Sequence, residues 1–93
     1  MTEKQVEQHL VAGVKKNNGM CIKFTSPGLP GVPDRIVLTD DGRVYFVELK
    51  TEIGRLAKIQ KWVIEEMRAR GHDVRVLKGK EAVKEFLKEV FPT

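Results

Sequence analysis

Residues 33–50 read PDRIVLTDDGRVYFVELK. Two runs rich in β-branched and aromatic residues flank Asp40-Asp41-Gly42, a strong turn signal, so the stretch is predicted to be a β-hairpin. If residues 40–42 form a three-residue loop, Thr39 faces Arg43, and counting back places Asp34 opposite Glu48. A two-residue loop would shift the register by one and part the two acids. Alternation along the returning strand is independent of the loop. It puts Val44, Phe46, Glu48 and Lys50 on one face and Tyr45, Val47 and Leu49 on the other.

Upstream, Ser26-Pro27-Gly28 and Pro30-Gly31-Val32-Pro33 form a loop, preceded by a short strand over Met20 to Thr25. Before it, Val6, Leu10 and Val14 recur at helical spacing, so a helix is expected from Glu3 to Lys16, capped by Thr2 and ended by Asn17-Asn18-Gly19. Downstream, a helix is expected from Leu56 to Arg70, with Leu56, Ile59, Val63 and Met67 as its apolar stripe. Asp73 to Leu77 reads as a strand in which Val74 and Val76 alternate against Arg75. A last helix begins near Lys80. The expected fold is α/β, in the order helix, three strands, helix, strand, helix.

The 93 residues suit one domain over residues 1–93, and 41% apolar content argues for a packed core. The lone Cys21 excludes a disulfide framework and reads as a small buried hydrophobe. His9 and His72 have no zinc-ligand spacing, and the glycines form neither a Walker nor a dinucleotide motif. No apolar run reaches a membrane span and no secretory signal opens the chain, so an intracellular location is expected. The net charge is +4, and residues 50–80 hold nine basic and four acidic residues. That excess suits a polyanionic partner.

Asp34, Glu48 and Lys50 carry the chemistry if the hairpin register is right. Opposed residues have Cβ atoms about 4.5–5.5 Å apart, so the two carboxylates can grip one hard divalent cation such as Mg²⁺. Lys50 would then position or deprotonate a water, or stabilise charge on a phosphoryl group. Taken singly, Asp34 is also an ordinary turn acid, and Glu48 with Lys50 an ordinary surface pair. Glu3 and Glu7, four apart on the first helix, offer a third carboxylate, and either is equally an acid placed by the helix dipole. Gln60 can orient water or phosphate. Arg55, Lys58 and Lys61 follow at i, i+3 and i+6 and can neutralise phosphates. Trp62 and Tyr45 read as core or interface aromatics.

Gly31-Val32-Pro33-Asp34-Arg35, then Phe46-Val47-Glu48-Leu49-Lys50 and Gln60, resembles the VRR-NUC (virus-type replication-repair nuclease) family of the PD-(D/E)XK superfamily. Glu3, Glu7, Leu10, Lys23-Phe24 and Ser26-Pro27-Gly28 extend the resemblance over about residues 3–78. It implies a restriction-endonuclease-like αβββαβ core, here with an additional C-terminal helix, and Mg²⁺- or Mn²⁺-dependent cleavage of DNA. Asp34 and Glu48 would be metal ligands, with the Leu49 backbone carbonyl, and Glu3 or Glu7 would contribute directly or through water. Lys50 would be the active-site lysine and Gln60 the glutamine of the following helix. Lys23, Ser26, Arg35, Arg55, Lys58 and Lys61 are expected to meet DNA. With no helicase or further DNA-binding domain expected, the chain resembles the stand-alone form of phages and prophages, which implies the bacterial host cytoplasm. Such members resemble Holliday-junction resolvases, so a homodimer acting on four-way or other branched DNA is the expectation.

Overall fold

The computed structural model describes residues 1–92; Thr93, part of the expected domain, lies outside the described residues. The elements are α1 (Glu3–Lys16), β1 (Met20–Lys23), β2 (Arg35–Leu38), β3 (Val44–Lys50), α2 (Lys58–Ala69), β4 (Val74–Lys78) and α3 (Gly79–Val90). They form one sheet in the order β1-β2-β3-β4, antiparallel except for the parallel β3–β4 pair. A parallel pair needs a crossover, and α2 supplies it.

The central hairpin has the three-residue loop. The Gly42 N–H donates to the Thr39 carbonyl at 3.2 Å and the Thr39 N–H to the Arg43 carbonyl at 3.0 Å. Gly42 sits at φ 90°, a left-handed conformation that favours glycine, which completes a type I turn followed by a bulge. The ladder then runs from Leu38↔Val44 to Arg35↔Val47, and its continuation sets Asp34 opposite Glu48.

One face of the sheet is the main core. Val37, Tyr45, Val47, Leu49 and Leu77 pack there against Val6, Leu10 and Val14 of α1 and Val83, Phe86 and Val90 of α3. α1 is fixed at its start by a reciprocal cap: the Gln5 N–H donates to Thr2 Oγ1 at 3.2 Å, and the Thr2 N–H donates to Gln5 Oε1 at 2.8 Å. Tyr45 is a core residue, edge-on to Phe86 at 5.5 Å.

On the opposite face α2 packs on β4 and reaches β3 through the Gln60–Glu48 hydrogen bond, burying Val63 and Ile64. The sheet stays open over β1 and β2, where Met20 and Ile22 are exposed, as is Val44 at the start of β3. This half-coverage corrects the expected stripe of α2. Ile59 lies against the loop at Gly31 and is 41% exposed, and Trp62, read as a core or interface aromatic, is 52% exposed. The helix also starts two residues late, at Lys58, because Ala57 is extended at φ −69°, ψ 158°; Arg55 therefore lies in the preceding loop. β4 buries both Val74 and Leu77, as a strand flanked by helices on both faces must, so simple alternation fails there. Its Arg75 lies over the Tyr45 and Phe86 rings at 5.4 and 5.7 Å.

Leu10 is fully buried between helix and sheet. Leu10→Ala should lower unfolding free energy by about 2–5 kcal/mol, read as a reduced urea midpoint with an unchanged m-value.

Candidate metal centre

Glu48 stands on the α2 side of β3, fully buried except for 1% of its surface. A carboxylate there must be satisfied or neutralised. Its Oε2 accepts from Gln60 Nε2 at 3.1 Å and lies 3.4 Å from Lys50 Nζ. Its Oε1 is buried and has no hydrogen-bond partner among the described residues. Glu48 also belongs to a cluster in which one carboxylate oxygen each from Glu3, Asp34 and Glu48 lies within 4.8 Å of the others. Opposite oxygens around one Mg²⁺ are about 4 Å apart, so small side-chain rotations bring this set to bonding distance. Hard oxygen donors with one unpaired atom fit such a cation.

The backbone contributes to the same hollow. The register sets Pro33 opposite Leu49, and Pro33 has no N–H to give the Leu49 carbonyl, which is left without its ladder donor. The Leu49 N–H donates instead to Asp34 Oδ2 at 2.9 Å, fixing that carboxylate. Glu3, Glu7, Asp34 and Leu49 line a hollow of about 410 Å³ together with Lys4 and Lys23. Lys4 was not singled out from the sequence; its place in the first turn beside Glu3 was the available signal.

The two first-helix acids part company here. Glu3 joins the acid cluster, whereas Glu7 Oε2 accepts from Arg35 Nε at 2.8 Å. Arg35 also donates through Nη1 to the Cys21 carbonyl at 3.2 Å, so its guanidinium is engaged within the protein. Gln60 has two tasks: its Oε1 accepts from the Ala57 N–H at 2.9 Å, capping α2, while its Nε2 holds Glu48. Lys58 and Lys61 are exposed on the first turns of α2, Arg55 is exposed before it, and Ser26 is half-buried in the loop after β1. Cys21 is half-buried, and burial pushes its thiol up to about 11, against a nucleophilic role.

A model of the VRR-NUC domain matches residues 2–81. The chain belongs to the VRR-NUC family. A solved structure described as a VRR_NUC domain superposes with a TM-score of 0.86 at 25% identity, covering 92% of this chain and 94% of that one. "Putative nuclease p44" of Acyrthosiphon pisum secondary endosymbiont phage 1 is 41% identical over 75 residues, 81% of each chain. The αβββαβ core with its extra helix is thus a VRR-NUC fold, and the coarse activity it supports is that of a nuclease.

Within this VRR-NUC domain, burial and then the neighbouring Asp34 charge push the Glu48 carboxyl up to about 7; Lys50 pulls the other way and Glu3 adds a smaller upward push. A carboxyl raised on folding stabilises the fold in its protonated form. That contribution is complete below the ordinary value of 4.5 and is lost as pH rises through about 7. Without divalent metal, wild-type protein should lose about 1–3 kcal/mol of stability across that window, and Glu48→Gln should flatten the loss. Urea unfolding in EDTA at a series of pH values checks both.

Proposed function

We propose that this chain is a Mg²⁺- or Mn²⁺-dependent DNA endonuclease, one nuclease domain over residues 1–93, that hydrolyses phosphodiester bonds with a structure-selective, Holliday-junction-resolvase-like preference. The observation that carries the metal centre is the partnerless, buried Oε1 of Glu48 within a three-carboxylate cluster. Asp34, Glu48, the Leu49 carbonyl and Glu3 would hold the ion, with Glu7 left to Arg35. When bound, the ion supplies polarisation of the scissile phosphodiester and acidification of the attacking water.

The chain's own residues do the rest. Lys50 presents its ammonium beside Glu48, where it offsets charge on the phosphoryl oxygens. Gln60 holds Glu48 in one orientation. Asp34 is oriented by the hydrogen bond its Oδ2 accepts from the Leu49 N–H. Lys23, Lys58, Lys61 and Arg55, with Ser26, meet backbone phosphates, so binding weakens steeply with salt. A C₂ homodimer would address two strands of a branched substrate. Among the described residues no helix is long and apolar enough to cross a membrane, and the p44 relative is a phage protein, which fits action in a bacterial host's cytoplasm.

The test is labelled four-way, flap, nicked and linear duplex DNA incubated with Mg²⁺, Mn²⁺ or EDTA, alongside light scattering of the free protein. Cutting is expected only with metal and fastest on the four-way junction, by a dimer. Asp34→Asn and Glu48→Gln should abolish it with folding retained, and Lys50→Ala should reduce cutting more than binding. Equal cutting in EDTA would refute the metal chemistry, and a flap or nick preference would replace the junction assignment.

Calorimetric Mn²⁺ titration separates the supporting residues. Glu3→Gln should weaken binding, as should Gln60→Leu, by about 10–100-fold for a group orienting a ligand. Glu7→Gln should lower the melting temperature while leaving Mn²⁺ affinity within a few-fold.

A further inference from the structure

The open half of the sheet and the flank of α2 enclose a second feature, a groove of about 370 Å³. That volume falls within the roughly 300–1,000 Å³ typical of small-ligand sites. Phe24 and Phe46 make its floor with ring centroids 5.8 Å apart, and His72 stands edge-on to Phe46 at 5.9 Å. Trp62, half out in solvent, makes the wall.

This groove lies on the same face of the sheet as Asp34 and Glu48. The Phe24 N–H donates to the Asp34 carbonyl at 2.9 Å, which extends the β1–β2 register and sets Phe24 beside Asp34 on the same face. Phe46 is two residues from Glu48 on β3, on that face again, so about 7 Å of strand separates them. Along the outer wall, Lys58, Trp62, Glu66 and Arg70 follow at i, i+4, i+8 and i+12, one stripe of α2. Lys58 is exposed at the end near the acids. Arg70 lies exposed at the far end, its Nη1 donating to the Glu66 carboxylate at 3.0 Å and to the Glu66 carbonyl at 2.9 Å. Aromatic faces between cations are what a single nucleic-acid strand uses, its bases stacking and its phosphates following the positive charge.

We infer that the groove between α2 and the open half of the sheet takes an unpaired nucleobase of the strand being cut, stacked among Phe24, Phe46 and Trp62. This rests on the nuclease reading above and adds to it a contact for a base that is unpaired beside the cleaved phosphate, whether in a single-stranded tail or opened at a branch point. With few polar atoms in the walls, the groove accepts any base by its π face, so strandedness is selected and sequence is not.

Trp62 is the only tryptophan in the chain and therefore reports directly on the groove. Wild-type protein in EDTA is titrated with a duplex carrying a short single-stranded tail, a blunt duplex of equal length, and the tailed duplex with its first unpaired nucleotides made abasic. Anisotropy of labelled DNA measures binding in parallel. Only the intact tail should quench Trp62, and Trp62→Ala should bind that DNA about 5- to 100-fold more weakly while matching wild type on blunt duplex. Equal quenching by blunt or abasic DNA, or a silent Trp62 on bound tailed DNA, overturns the inference and leaves the nuclease reading intact. So does Trp62 emission that shifts with protein concentration in the absence of DNA, since a second copy would then occupy the groove. Failure to bind or cut any DNA sinks the nuclease reading together with the inference.

Discussion

A slip of one residue between β2 and β3 would carry Asp34 to the opposite side of the sheet from Glu48, and the loop at residues 40–42 is what prevents it. Gly42 in its left-handed conformation closes the turn, and the Thr39 side chain reinforces it by accepting the Arg43 N–H at 2.8 Å. The buried Val37, Tyr45 and Val47 then hold the register, because any slip would expose them. The loop lies at the far end of the hairpin from the acids, yet it determines that they meet. The remainder of the centre is electrostatic consequence: two carboxylates brought together in a low-dielectric site repel, and Gln60, Lys50 and a raised Glu48 pKa moderate that repulsion only in part.

Much of this was legible in the amino-acid order where a local rule dominates. The period of Val6, Leu10 and Val14, the Thr2 cap and the Asp40-Asp41-Gly42 turn each act over a few residues, and the structure follows them. The choice between Glu3 and Glu7 was not legible. They share a helix flank, and what separates them is Arg35, 28 positions beyond Glu7 in sequence, so the distinction exists only once β2 packs beside α1. The rotation of α2 was hidden for a similar reason. Its apolar residues are periodic whether the helix covers four strands or two, and here it packs on β4 and reaches β3 through Gln60, leaving Ile59 and Trp62 at a margin.

Two contributions came from groups that sequence patterns undervalue. Gln60 looks like a solvated helix residue, but the cap it gives Ala57 fixes which end of its amide faces Glu48, so helix initiation and carboxylate orientation are one interaction. Pro33 acts through an absence: lacking an N–H, it cannot extend the β2–β3 ladder at the point where Leu49 and Asp34 line the same hollow. A residue with an N–H at position 33 would extend the ladder and claim the Leu49 carbonyl.

The Glu7–Arg35 pair then has a positional meaning that its energy alone does not give. Its side chains are only 22% and 17% exposed, so desolvation offsets much of the Coulombic attraction and the pair is weak support for stability by itself. Its placement is more telling. Glu7 is one turn from Glu3, and Arg35 directly follows Asp34, so the bond ties together the two backbone segments that carry two of the three clustered acids. The further bond from Arg35 to the Cys21 carbonyl brings β1 into the same tie, and with it the strand that leads to Phe24. An error in how α1 meets the sheet would move Glu3 relative to Asp34 by the same amount, and a hydrogen-bonded ion pair, being directional, resists that displacement better than the apolar contacts of Val6 and Leu10, which tolerate sliding.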